Sequence, residues 1–192
     1  MILPVTAYGH PTLKIVGEDI DANYPDLEKL IDDMFETMEV ADGVGLAAHQ
    51  INKAIRLFVI DTTLLKLENS PYTDQRHTFI NARISHEEGE EWGYEEGCLS
   101  VPGIHEMVKR KPVITISYYD REWNYHENVK IDGMLARVIQ HEYDHIEGKL
   151  FVERLPNIRR VLLKGKLRDI SMGKTEASYR MLFPKKTTKK KA

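Results

Sequence analysis

The feature that most constrains this chain is a segment from Asp132 to Gly148 that is apolar around most of a helical circumference and yet carries His141-Glu142-Tyr143-Asp144-His145. Met134, Leu135, Val138, Ile139 and Ile146 recur at helical spacing without leaving a wide polar face, which predicts a helix buried inside the domain. Gly148 suits its C-terminal cap. A helix buried on most sides needs strand groups around it, so the fold class expected is α+β.

The same helix carries chemistry. Residues four apart on a helix project from nearly the same angle, so His141 and His145 can bind one cation, while Glu142, about 100° further round, can reach a water beside it. A catalytic site of this kind usually takes three protein ligands and leaves a fourth position to water, so a third donor must come from elsewhere. Phe151 stands where metzincin spacing would bring another histidine, and it cannot bind a metal; Glu147 and Glu153 read as surface or helix-end carboxylates. Upstream stands the only cysteine, Cys98, within Glu96-Gly97-Cys98-Leu99-Ser100. A thiolate with two imidazoles is an accepted ligand set, although a lone cysteine is more often an inert core residue.

A third segment, Gly43-Val44-Gly45-Leu46-Ala47-Ala48-His49-Gln50, follows a predicted helix. Its small residues let the backbone approach something closely, and the Gln50 amide can donate hydrogen bonds. Alone, it would read as a tightly packed turn.

Taken together, Gly43 to Gln50, Glu96 to Ser100 and Gln140 to His145 resemble, in order, the three motifs of the peptide deformylases, which remove the formyl group from the N-terminal methionine of new bacterial proteins. The similarity runs from Gly9-His10-Pro11-Thr12-Leu13-Lys14 through Gly148-Lys149-Leu150-Phe151 and the helix that follows. It implies mostly antiparallel β-sheets wrapped around the metal-binding helix, then a C-terminal helix. It implies Cys98, His141 and His145 as ligands of one divalent ion, Fe2+ expected, with Zn2+, Ni2+ or Co2+ able to substitute. Glu142 would serve as general base and acid, with the Gln50 side-chain amide and the Leu99 N–H as oxyanion donors. The substrate implied is a formyl-methionyl nascent peptide. Its methionine side chain would lie among Val44, Tyr94, Met134, Val138 and His141, and its extended backbone beside Gly45 and Gly97. His105 and His49 depart from the arginine and proline common at these places in the family.

Composition fits one compact domain of this size: 192 residues and 42% hydrophobic content, with no run of apolar residues long enough for a membrane span. The opening Met1-Ile2-Leu3-Pro4 lacks the basic start of a signal peptide, and a single cysteine excludes an internal disulfide framework, so a cytoplasmic location is expected. No DNA or membrane partner is expected. Charge is uneven: the segment after Phe183 holds five lysines and no acid, so removing these from the 27 basic residues leaves 22 against 30 acidic ones. The domain is therefore read as residues 1–173 and residues 174–192 as a basic, flexible tail. With Arg159, Arg160, Lys164, Lys166 and Arg168 on the preceding helix, the tail offers a contact to ribosomal RNA, a docking mode the resemblance also implies.

Elsewhere, Leu27, Leu30, Ile31, Met34, Phe35 and Met38 predict an amphipathic helix over 25–41. Arg56–Ile60, Thr78–Asn81 and Val113–Tyr119 predict strands, Asp120–Asn128 a turn or short hairpin, and Asp61–His77 an extended surface loop. Two other functions stay open at this stage. A metalloprotease would use the same helix but leaves Cys98 and the Gly43 to Gln50 segment unexplained. A non-enzymatic, ribosome-associated metal protein would explain the basic end, but a structural site usually closes with four ligands.

Overall fold

The computed structural model describes residues 1–65, 72 and 75–185. Much of the loop expected between Asp61 and His77, and the lysine-rich end from residue 186, lie outside the described residues. The elements in chain order are β1 (Val5–Thr6), α1 (Leu27–Val40), β2 (Gly45–Ala47), β3 (Leu57–Asp61), β4 (Arg76–Glu88), β5 (Trp92–Glu96), β6 (Glu106–Arg110), β7 (Val113–Tyr119), β8 (Tyr125–Asp132), α2 (Gly133–Ile146), α3 (Asn157–Ser171) and β9 (Met181–Leu182). An antiparallel sheet in the order β2-β3-β4-β7-β8 forms the frame, β5 and β6 make a separate antiparallel hairpin, and β1 pairs in parallel with β9.

Strand periodicity divides the core. On β3, Phe58 and Ile60 join the cluster that receives Leu135, Ala136, Ile139 and Ile146 of α2, whereas Leu57 and Val59 join the cluster of α1. The sheet is thus covered by one helix on each face. Phe58 pairs with Phe79 of β4 across the sheet, their rings stacked at 4.7 Å. Asn81 adopts φ 53° where the β4 register shifts, and this bulge returns Ala82 to the α2 side beside Phe79. A third cluster gathers Ala7, Val101, Ile104, Val108 and Phe151 with Leu163, Leu167 and Ile170 of α3.

The predicted strands over 56–60 and 113–119 are observed nearly as read, while β4 runs far beyond Asn81 because its polar continuation pairs with β7 past the end of β3. The β5–β6 hairpin carried no recognisable pattern, since the inward positions of β6 are Glu106, Val108 and Arg110. Its alternation is one of burial and not of hydrophobicity. The boundary expected after residue 173 is also corrected. Residues 174–183 return to the domain, where Met181 and Leu182 pair with Val5 and Thr6, and Met181 and Phe183 pack on the third cluster. The five lysines that follow Phe183 drew the whole segment into a tail and masked this short strand. Among the described residues no helix is long and apolar enough to cross a membrane.

α2 closes as its glycine suggested. Gly148 has φ 68°, and Lys149 N–H donates to Asp144 O at 2.8 Å. A Cβ at Gly148 would stand 2.9 Å from the backbone of Lys14, whereas one at Gly133, also left-handed at φ 64°, would meet nothing. Gly133→Ala should therefore cost only the left-handed penalty of about 1–2 kcal/mol, and Gly148→Ala clearly more. Thermal unfolding of both variants checks this, and equal losses would show that the Lys14 backbone yields freely.

Candidate active site

The buried surface of α2 is of two kinds. Leu135, Ala136, Ile139 and Ile146 face the sheet, and Arg137, Gln140, Glu142, Asp144 and His145 are buried polar residues that need partners. Their placement organises the site.

Cys98, His141 and His145 come together with one donor atom each, all within 4.8 Å of one another, and Cys98 Sγ lies 3.3 Å from His145 Nε2. Soft sulfur and two imidazoles form a set that could hold one divalent transition metal. The surroundings fit that use. His141 Nδ1 donates to Glu96 Oε2 at 3.0 Å, which leaves Nε2 for a metal and orients the ring. Burial holds His145 well below the ordinary imidazole pKa, keeping the ring neutral with one nitrogen lone pair free. Burial also disfavours charge on His141, but the Cys98 thiol and Glu96 carboxylate beside it outweigh this and lift its pKa to about 10. The pocket thus attracts positive charge. Phe151, in the place of a metzincin histidine, is buried, with its ring 6.0 Å from that of His141.

Glu96 is the hinge of a larger network. Arg110 binds it through Nε at 2.7 Å and Nη2 at 2.9 Å and reaches Asp144 through Nη1 at 2.7 Å. Arg137 adds a bond to Glu96 at 2.6 Å, and Arg154 grips both oxygens of Asp144 at 2.6 Å. Burial alone would raise the pKa of Glu96, but His141 and Arg110 hold it well below the usual carboxylate range. Sequence reading missed Arg110, Arg137 and Arg154, whose positions carry no motif. A charged residue at an inward strand position was the one available signal.

Glu142 is buried, its Oε2 has no hydrogen-bond partner, and burial pushes its pKa up to about 7. The backbone of the Gly43 to Gln50 segment approaches it: a Cβ on Gly45 would strike the Glu142 carboxylate at 2.5 Å. That contact is what the small residues permit. Part of the segment is strand β2, and a 3-10 turn over Ala48–Ile51 ends it. Gln50 Oε1 accepts from Ala47 N–H at 2.8 Å, so Nε2 is left to donate, and it lies 3.6 Å from Cys98 Sγ.

A cleft of about 600 Å³ opens over these groups. Its lining includes Gln50, Cys98, Leu99, His141 and Glu142, and also Val44, Gly45, Tyr94, Gly97, Met134 and Val138. Of the site residues read from sequence only the buried His145 is absent from its wall. His105 lines the cleft too, with its ring 2.7 Å from where a Cβ on Gly97 would sit. His49 is buried away from it, with Nε2 3.0 Å from Ile15 O. The segment Glu176 to Tyr179, assigned to a tail by composition, also lines the cleft.

The family profile described as Polypeptide deformylase matches residues 2–161. A peptide deformylase of Cytophaga hutchinsonii is 54% identical over 184 residues, covering 96% of this chain and 98% of that protein. Among solved structures, a peptide deformylase from Legionella pneumophila superposes with a TM-score of 0.77 at 35% identity, covering 90% of this chain and 96% of that one. One from Ehrlichia chaffeensis, in complex with actinonin, gives 0.79 at 30% identity, covering 91% and 99%.

Arg110→Met should destabilise the chain by about 3 kcal/mol, the low end for breaking a buried charge network, because Glu96 keeps Arg137 and Asp144 keeps Arg154. Urea unfolding measures it. A loss under about 0.5 kcal/mol would show that the network is not holding the hairpin to α2.

Proposed function

The chain belongs to the polypeptide deformylase family, and on that premise we propose how its residues divide the work of removing the formyl group from an N-terminal formyl-methionine. The observation that carries the reading is the junction of a three-donor cluster, Cys98, His141 and His145, with an unpartnered buried carboxylate, Glu142, in one cleft. Cys98, His141 and His145 hold one divalent ion, Fe2+ in the cell, with Zn2+, Ni2+ or Co2+ able to take its place. The ion, when bound, supplies Lewis acidity toward water and the formyl carbonyl.

Glu142 takes a proton from the attacking water as the water oxygen bonds to the formyl carbon. Its buried carboxyl, near neutral in pKa, suits a group that must accept and return a proton. The charge that develops on the carbonyl oxygen meets the Gln50 Nε2 amide and the backbone N–H of Leu99. Gln50 is held for this by its own oxygen on Ala47 N–H. Glu142 then gives the proton to the leaving nitrogen as the C–N bond breaks, releasing formate and a peptide with a free methionine amine. Val44, Tyr94, Met134 and Val138 take the methionine side chain, and the extended substrate backbone runs between Gly45 and Gly97. A protease acting on internal bonds would leave Cys98 and the Gly43 to Gln50 segment without a role.

The exposed face of α3 supports a contact with the ribosome. Ile158, Val161 and Leu162 are exposed there alongside Arg160, Lys164 and Arg168, a surface suited to ribosomal RNA near emerging peptides. Lys164→Glu with Arg168→Glu should weaken co-sedimentation with ribosomes at low salt. Equal recovery of parent and variant would remove α3 from the contact.

Formate release from an N-formyl-methionyl tripeptide, measured on Fe2+-loaded protein without oxygen, tests the chemistry. Glu142→Ala should keep the metal and lose about 10²–10⁴-fold or more in kcat, and Gln50→Ala about 10²-fold. A fully metallated Glu142→Ala chain with parental kcat would end the assignment of the base.

A further inference from the structure

The turn that supplies Leu99 to the cleft is held from both ends of the chain. Tyr8 N–H donates to Ser100 O at 2.8 Å, and the Tyr179 hydroxyl donates to Leu99 O at 2.8 Å. Two successive carbonyls of one motif are thus taken by residues 171 positions apart in sequence. The two holders are themselves joined. Val5 N–H donates to Arg180 O and Ala7 N–H to Leu182 O, both at 2.8 Å, as β1 and β9 pair in register. Tyr8, Met181, Phe183 and Cys98 pack on the same apolar cluster. Inside the turn, Val101 N–H donates to Cys98 O at 2.8 Å. Tyr179 is half-buried, and with Glu176, Ala177 and Ser178 it forms part of the cleft wall.

We infer that the C-terminal return over residues 174–183 is a working part of the active site, in which Tyr179 is a positioning residue that holds the Leu99 turn. This rests on the reading of the Leu99 N–H as an oxyanion donor. A donor stabilises a developing charge only if it is already aimed, and a peptide unit in a surface turn is free to rock unless its neighbours are tied. The peptide unit that carries the Leu99 N–H is tied at Cys98 O by Val101 N–H, and the Tyr179 hydroxyl fixes the carbonyl on the other side of the Leu99 Cα, so both peptide planes that meet at that Cα are held. Tyr179 touches no reacting atom in this scheme and acts through Leu99. Its loss therefore weakens an interaction made in the transition state, not substrate binding.

Tyr179→Phe removes one oxygen and keeps the ring, so the fold should persist. On the metal-loaded full chain it should lower kcat for the formyl-methionyl tripeptide about 3- to 10-fold, the range one neutral hydrogen bond sustains, with KM unchanged and Tm lowered by no more than a few degrees. Hydrogen exchange over Cys98–Val101 should quicken in the same variant, a readout independent of turnover. Parental kcat with parental exchange would overturn the proposal, as would a change confined to KM, which would make Tyr179 a substrate contact, or one confined to Tm, which would make it a packing residue. Formate release by the parent chain separates these outcomes from failure of the deformylase reading, while the exchange experiment still tests the clamp.

Discussion

The rest of the site depends on the placing of buried charge around Glu96. Its two oxygens serve Arg110, Arg137 and His141, and Arg110 passes the link to Asp144, which Arg154 holds from the other side. Taking such groups out of water costs several kcal/mol for each ion, and the cost is offset only when nearly every donor and acceptor finds a partner. Here the partners come from β5, β6, α2 and the turn after it. The network therefore holds the hairpin, α2 and the following turn in one geometry. It also orients the His141 ring, so the arrangement that stabilises the interior leaves Nε2 facing the Cys98 and His145 donors.

The second constraint is steric. Glu142 occupies space that any side chain at position 45 would fill, and Gly97 leaves room for the His105 ring. Glycine at these two places lets the edge strand and the cysteine loop close on α2 from opposite sides of the cleft. Cys98 thereby meets histidines more than forty residues away in sequence, and the Glu142 carboxyl lies beside them, with its pKa pushed up to about 7 by burial. A site built on a buried helix and braced from both sides has little freedom to lose geometry.

Much of this was legible beforehand because periodicity and spacing are local. The apolar repeat from Met134 to Ile146 and the helix over 25–41 each record a face that must be buried, and the four-residue step between His141 and His145 is a property of any α-helix. Gly148 read as a cap because few residues accept its backbone angle. The β5–β6 hairpin was not legible, since charged residues occupy its inward positions and imitate a surface strand. The return of residues 174–183 was hidden for the opposite reason. It is too short to show a period and runs straight into the lysines that follow, and its strand exists only where β1 presents an open edge.

By itself, then, the sequence determined the class of fold, the buried helix with its paired histidines, and the three motifs, because each is written in residue types at short range. Only the tertiary structure decided which charges neutralise Glu96 and Asp144, what Gly45 makes room for, and that Tyr179 reaches back to Leu99. Those contacts join segments tens of residues or more apart. Partner choice between such distant segments is set by how the sheets and helices pack, which no local pattern of hydrophobic and polar residues records.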